Sequence, residues 1–212
     1  YRDGIPIRKG FIKAVTICDV RRGKNAQLGN SLIEQYHYLG YTQPVGEHLK
    51  YMIYSGKTPI ACMTWSSAPR HIGCRDQFIG WSKTEREQNI HYMAYNSRFL
   101  ILPWVKAKYL ASHILALCIK QISKDWQRRY HHGVYYLETF VDKEHFAGTC
   151  YRAANWIYLG DTTGRGKNDN TRKANRSIKA VYGFPLRNDF RDRLCGRKKD
   201  AIPRLERLTA MS

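Results

Sequence analysis

The sequence predicts an α/β fold, a mixed central sheet with flanking helices, as a single domain bounded by basic segments. Three observations predict it. The 212 residues are 43% hydrophobic and 13% aromatic, more than a disordered chain carries, and the chain is long enough to bury a core without disulfides or metal. The most regular stretch sets Leu110, Ile114, Cys118, Ile122 and Trp126 four residues apart, with Ala111, Leu115 and Ile119 beside them, the pattern of a helix whose broad apolar face packs on a sheet. Around it, runs rich in β-branched and aromatic residues give the order strand, long helix, strand, helix, strand.

Taken in order, residues 1–30 read as a basic N-terminal segment, 31–190 as the α/β domain and 191–212 as a basic tail, helical near Leu205. A helix is predicted from Ala26 to Tyr38, with Leu28, Leu32, Ile33 and Tyr36 near one face and Gly40 as its stop. Leu49 to Tyr54 and Ile60 to Trp65 read as a hairpin around the turn Ser55-Gly56-Lys57. Residues 66–77 read as loop, and Phe78 to Trp81 as a short apolar patch. A capping box, Ser82-Lys83-Thr84-Glu85, then opens a helix to about Tyr92. Phe99 to Val105 reads as a buried strand, followed by the long helix. Val134 to Val141 is the next strand, Ala147 to Trp156 a helix, Ile157 to Asp161 a strand, and Ile178 to Phe184 the last strand.

The 36 Lys+Arg exceed the 17 Asp+Glu, and the formal net charge is +19. The excess is concentrated. Residues 1–30 carry seven Lys/Arg against two acids, and residues 161–212 fourteen against six. A like-signed excess of this size favours a polyanionic partner, and nucleic acid is the commonest. No apolar run approaches a membrane span and no basic amphipathic helix is visible, so a membrane is not expected as partner. No signal-peptide pattern opens the sequence, and the six cysteines are spread without a zinc-site spacing; a cytoplasmic location with reduced thiols is the expectation.

The segment Gly160 to Lys167 is glycine-rich but fails the phosphate-loop pattern, because the spacing is one residue too long and Lys167 is followed by Asn. With Arg165, Lys167, Arg172, Lys173, Arg176 and Lys179 it reads instead as a clamp on a nucleic-acid backbone. Metal is not expected: Cys62, His71 and Cys74, or the pair His131 and His132, do not make four ligands, and Glu34 with His37 forms half of a di-iron pattern that has no second copy. His37 reads as a helix-end or substrate-contact residue. Glu138 and Asp142 bracket an apolar strand, four apart on one face and roughly 13 Å from each other, too far to share a proton. They can act separately as base and acceptor, or be ion-paired with Arg98 or Arg152. Cys150 and Tyr151, with His113 on the long helix, offer a nucleophile and a base.

These residues sit among longer strings that carry a resemblance. Tyr36-His37-Tyr38-Leu39-Gly40, Phe78-Ile79-Gly80-Trp81, the run Asn96 to Val105, Leu110-Ala111-Ser112-His113, Leu137 to Asp142 and Gly148 to Trp156 resemble the domain named after DruA of the Druantia anti-phage system, also found in transposase-like proteins. The resemblance covers roughly residues 30–190 and implies phage defence or mobile-element biology, with DNA as partner. The order of elements also resembles the GCN5-related acetyltransferase fold. In that fold the turn before the long helix needs small residues so that backbone amides can grip the coenzyme A diphosphate. Here Lys106 to Ser112 holds no glycine, so a shared scaffold with a reassigned site is expected.

The leading functional expectation is a DNA-binding, DNA-processing protein that nicks a strand without metal or cofactor. Glu138, Asp142, His113 and Tyr151 form its catalytic set, and Asn96, Arg98 and Arg165 stabilise the transition state. Trp81, Trp104 and Trp156 are the tryptophans expected to be exposed for base stacking. Two alternatives stay open: a non-enzymatic DNA-recognition module that recruits a helicase or transposase, and an acyltransferase with a degenerate coenzyme A site.

Overall fold

The computed structural model describes residues 14–20, 22–164 and 177–198. A seven-stranded sheet runs through the molecule in the order β1-β2-β3-β4-β5-β7-β6. Its strands are β1 (Val15–Asp19), β2 (His48–Ser55), β3 (Thr58–Ser67), β4 (Met93–Ile101), β5 (Tyr136–Asp142), β6 (Ile157–Asp161) and β7 (Lys179–Pro185). Helices α1 (Lys24–Tyr36), α2 (Gly73–Ile79), α3 (Lys83–Asn89), α4 (Leu110–Tyr130), α5 (Thr149–Ala153) and α6 (Phe190–Leu194) flank it. Every neighbouring pair is antiparallel except β4 with β5. The mixed α/β fold class follows from this arrangement. Among the described residues no helix is long and apolar enough to cross a membrane.

The long helix packs as its periodicity requires. Ile114, Leu115, Cys118, Ile122 and Trp126 of α4 are wholly buried on one face of the sheet. Tyr51 of β2 points to that face and donates to Asp125 at 2.7 Å. Because side chains alternate along a strand, Met52 points to the other face. There α1 lies close, and a Cβ on Gly29 would come 2.9 Å from the Met52 sulfur. A second, smaller core on this face joins Ile79, Trp81, Met93, Tyr136, Phe190 and Leu194. The hairpin β2–β3 and the capping box of α3, with Ser82 and Glu85 bonded reciprocally, stand where the sequence places them.

Four expectations are corrected. β1 falls inside the predicted basic segment and pairs along its whole length with β2 as an edge strand; five residues of mixed polarity give no alternating pattern to read. Residues 73–79, read as loop and apolar patch, form α2, too short for a helical period to show. The strand predicted at Phe99 to Val105 runs instead from Met93 to Ile101, because a polar stretch, Asn96-Ser97-Arg98, belongs to it and Pro103 lies beyond its end. Trp81 and Trp156 are 8% and 4% exposed, so neither is a free stacking surface; each fills a core cluster. The predicted helix near Leu205 lies outside the described residues.

Candidate functional site

The site begins with a strand pairing that stops early. β4 and β5 are hydrogen-bonded over four positions, Met93 to Asn96 against Tyr136 to Thr139, while β4 runs on to Ile101 and β5 to Asp142. Past Asn96 and Thr139 the two strands part, and the gap is a cavity of about 540 Å³. Ser97 to Ile101 line one wall and Thr139 to Asp142 the other. Tyr36 to Leu39, after α1, and Phe146 to Tyr151, leading into α5, close its sides, and Ala111 reaches it from the first turn of α4. The gap opens at the carboxyl ends of two parallel strands, the position where open α/β sheets bind ligands.

A bulge sets the chemistry of the β4 wall. Thr64 of β3 pairs with Arg98 and Trp65 with Asn96, so Ser97 is an extra residue. Without it Asn96 and Arg98 would share a face. With it, Asn96 turns toward α5 and Arg98 toward α1. The Asn96 amide donates to the carbonyls of Thr64 and Arg98, both at 3.0 Å. Its oxygen accepts from the Tyr151 hydroxyl at 2.7 Å, and Thr139 lies 3.4 Å from that hydroxyl. On the other side Arg98 donates to the carbonyls of Gly40 and Ser97, each at 2.8 Å, and ties the segment after α1 to the strand.

Tyr151 is held by a short helix that begins at Gly148, whose φ of +69° suits glycine. Burial raises its phenol well above the ordinary value, so the hydroxyl stays protonated and is a donor. Burial likewise raises the Cys150 thiol, which leaves the thiol form and removes it as a nucleophile. His37 lines the cavity; burial and the neighbouring Arg98 lower its pKa to about 4, and its Nδ1 accepts from the Leu39 amide at 3.2 Å. It presents a neutral ring.

The catalytic residues predicted from sequence are only partly brought together. Tyr151 and Asp142 line the cavity with the predicted contacts Asn96 and Arg98. Glu138 does not. Its carboxylate is fully buried on the opposite face, gripped by both hydrogen bonds of Arg75 Nη1 at 3.0 and 3.2 Å, so its partner is Arg75 and neither Arg98 nor Arg152. Arg75 also donates to Asp76 at 2.7 Å and to the Pro69 carbonyl at 3.1 Å. His113 stands exposed on the first turn of α4 and is not among the lining residues. Lys179 lies on β7 and its amide donates to Thr162. Arg165, Lys167, Arg172, Lys173 and Arg176 lie outside the described residues.

Asp142 itself is engaged. It accepts from the Glu144 amide at 3.1 Å and from Ser177 at 2.8 Å; burial raises its carboxyl, and these bonds, with His145, hold it below the usual carboxylate range. Asp142, Glu144 and His145 place one possible metal-ligand atom each within 4.8 Å of one another, with two oxygens of Asp142 already accepting hydrogen bonds. Sequence reasoning missed Ser97, Thr139, His145 and Phe146 as lining or mouth residues. The aromatic run Tyr36-His37-Tyr38 just past a helix end was the signal within reach.

At the far side of the gap the turn before α4 does without glycine. Tyr109, 78% exposed, takes φ +63° and ψ 3°, a left-handed conformation usual for glycine, and no side chain caps the helix. Lys106 and Lys108, both exposed, precede it. The first-turn amides of the 21-residue helix, which no side chain caps, follow these two lysines in the chain and carry the positive end of the helix dipole.

A family model described as "Druantia protein DruA" matches residues 7–183. Solved structures share the fold. A chimera of the spermidine N-acetyltransferase SpeG from Vibrio cholerae and hSSAT is 11% identical, covering 81% of this chain and 95% of its own, with a TM-score of 0.52. An N-acetyltransferase from Staphylococcus aureus Mu50 is 13% identical, covering 82% and 98%, at 0.50. A GNAT-family acetyltransferase from Streptococcus pneumoniae is 9% identical, covering 81% and 99%, at 0.50. No curated protein matches the chain.

Proposed function

The chain belongs to the DruA family, and on that premise we propose that it is an acyltransferase of phage defence, brought to DNA by its positive charge. The observation that carries this reading is the gap between β4 and β5, open after four paired positions and floored by Tyr151 and Asn96. A strand edge without a neighbour can pair with an extended, amide-bearing arm as an added strand would. Ser97 to Ile101 offer such an edge, Ala111 leaves room at the helix start, and Lys106, Lys108 and the first turn of α4 suit the diphosphate at the end of the arm. The turn lacks the usual small residues, but Tyr109 holds the left-handed backbone angle a glycine would supply, and Lys106 and Lys108 supply positive charge for the diphosphate.

Bound there, an acyl thioester supplies an activated carbonyl and a thiolate leaving group. To protonate the departing thiolate, Tyr151 would turn its one hydroxyl proton from the Asn96 oxygen, to which it donates at 2.7 Å, to the sulfur, while Asn96 stays held by the carbonyls of Thr64 and Arg98. Arg98 adds positive charge on the opposite face of the gap. Support over strand nicking comes from the placement of two of the four residues expected to cut: Glu138 is ion-paired away from the cavity and His113 is on the surface, leaving Asp142 and Tyr151 at the gap. The +19 charge supports DNA as the partner equally under either chemistry.

The test is calorimetric titration with acetyl-coenzyme A, followed by transfer assays on DNA. Ala111→Trp should abolish binding, and Tyr151→Phe should keep it while slowing transfer on the order of a hundredfold. No binding by the wild type at millimolar ligand removes the acyltransferase. Nicking of supercoiled plasmid in EDTA that vanishes in Tyr151→Phe would put strand cleavage in its place.

A further inference from the structure

The mouth of the gap on the α1 face carries rings that no part of the transfer chemistry uses. His37 stacks on Tyr38 with centroids 5.0 Å apart and planes 28° from parallel, and Tyr38 stacks on His145 at 4.9 Å and 29°. Phe146 meets the Tyr38 ring at 5.3 Å. These rings are not core. Tyr38 is 41% exposed and Phe146 53%, and Leu39 beside them 44%. Tyr36, Tyr38, Leu39 and Phe146 thus gather exposed apolar surface at one entrance of the cavity, a placement that suits a ligand.

The ring order has a shape. Three rings, each inclined by 28° or 29° to the next and drawn from two separate segments, the end of α1 and the turn after β5, stack beside the opening. A planar group continues such a stack with little loss of its own freedom, and every nucleobase has a face that can do so. Deeper in the cavity Ser97, Asn96, Thr139 and the Tyr151 hydroxyl are already hydrogen-bonded within the protein, so the rings and Arg98 are what the mouth itself offers a ligand. The neutral state of His37, set by burial and by Arg98, leaves its ring a stacking surface. Arg98, beside the stack, gives the cation a phosphate needs, in a chain that carries +19.

We propose that Tyr38, Phe146 and His145 form the docking shelf for an unpaired nucleobase of single-stranded or locally opened DNA, presented to the gap from the α1 face. This rests on the acyltransferase reading only in making the base the acceptor; the docking itself stands without it. It commits to a base and not to a protein side chain or small polyamine, because the shelf is a stack of rings and the chain's charge matches a polyanion. A base inside a duplex is not available to such a shelf, so the target is extruded or already unpaired.

The experiment uses the full chain and a short single-stranded oligodeoxynucleotide with one central 2-aminopurine, with no acyl donor present. Stacking on the shelf quenches or shifts the 2-aminopurine emission, and the same strand annealed to its complement binds at least about tenfold more weakly. Tyr38→Ala and Phe146→Ala each weaken single-strand binding about tenfold, the loss of one stacking partner, and Tyr38→Trp restores it. Unchanged melting temperatures in these exposed-site variants show that the fold is kept. Equal affinity for duplex and single strand, complete displacement by heparin with no emission change, or wild-type binding by both alanine variants overturns the shelf. The two readings fail separately. Stacking without acetyl-coenzyme A binding keeps the shelf and removes the transferase, and the reverse keeps the transferase and makes its acceptor something other than a base.

Discussion

Replacing Arg75 by Met asks whether Glu138 is a structural anchor or a reactive group. Neither side chain has exposed surface, and among the described residues Arg75 is the side chain that bonds Glu138, while also holding Asp76 and the Pro69 carbonyl. Met keeps the volume of the stem and leaves the carboxyl without a partner. Burial already raises Glu138 to about 7, against the lowering pull of Arg75; without that pull the proton is held to higher pH. Below pH 7 the group is protonated with or without Arg75, so the variant loses the hydrogen bonds of Arg75, among them its ion-paired contact with Asp76, about 1–3 kcal/mol. Above it the wild type ionises and the variant does not. The unfolded chain, whose carboxyl ionises near 4.5, then binds one proton fewer than the folded variant. The variant's deficit therefore widens as pH rises, by about 1.4 kcal/mol per unit above pH 7, and by pH 8.5 it reaches the roughly 3–5 kcal/mol expected when half of a buried ion pair is removed.

Urea unfolding followed by tryptophan fluorescence at pH 6 and pH 8.5 measures both numbers. Replacing Arg75 and Glu138 together by Met should recover most of the loss, because no buried carboxyl is then left without a partner, Asp76 keeping Arg86 at 3.1 Å. A deficit under about 1 kcal/mol at pH 8.5, or one that does not change with pH, refutes the reasoning. A Glu138→Gln protein with wild-type stability and no transfer activity would return Glu138 to catalysis.

Two further predictions concern the backbone around the gap. Gly148→Ala puts a Cβ 2.9 Å from the Tyr182 hydroxyl at a φ of +69°, so it should cost about 2 kcal/mol and, by tilting α5, displace Tyr151; melting temperature and transfer rate should fall together, and a variant as stable as the wild type contradicts this. Tyr109→Gly relieves a left-handed tyrosine that is 78% exposed and packs little, a gain of about 1–2 kcal/mol set against about 0.5–1 kcal/mol of extra chain entropy. The variant should be slightly more stable and bind acetyl-coenzyme A more tightly, and weaker binding by titration would show that the tyrosine ring itself makes a ligand contact.

How much of this was legible in the sequence depended on whether the signal was local. α4 repeats an apolar residue every turn, the capping box of α3 spans four residues, and the β2–β3 hairpin is marked by its turn; each can be read within one short window. β1 and α2 are held by partners elsewhere and have no pattern of their own. Glu138 stood out correctly as an acid in an apolar strand, but its partner Arg75 is 63 residues away, in a helix of seven. The bulge at Ser97 decided more than any motif. It reverses which face Arg98 occupies relative to Asn96, and a register shift against a strand about thirty residues earlier leaves no mark in composition. The polar run Asn96-Ser97-Arg98 carries no strand pattern, although Asn96 and Arg98 stand out as contact residues.

The same geometry explains where the buried polar residues sit. The sheet is two antiparallel blocks, β1 to β4 and β5-β7-β6, joined by four parallel pairs. A joint that short cannot by backbone bonds alone hold the walls of a cavity at a fixed width, so side chains must bridge the blocks. Tyr151, behind β5, bonds to Asn96 on β4, and the Thr139 hydroxyl reaches the Asn96 carbonyl at 3.3 Å. On the other face Arg75 couples Glu138 of β5 to the Pro69 carbonyl, just past the end of β3. Asn96, Thr139, Glu138 and Arg75 are thus buried and polar for one reason: they brace the seam on both faces while leaving its carboxyl end open. Loosening the brace on the Arg75 side should therefore alter ligand affinity in the gap even though no atom of Arg75 lines it. That coupling separates a seam held by side chains from a cavity that is merely a packing defect, since a defect would not respond.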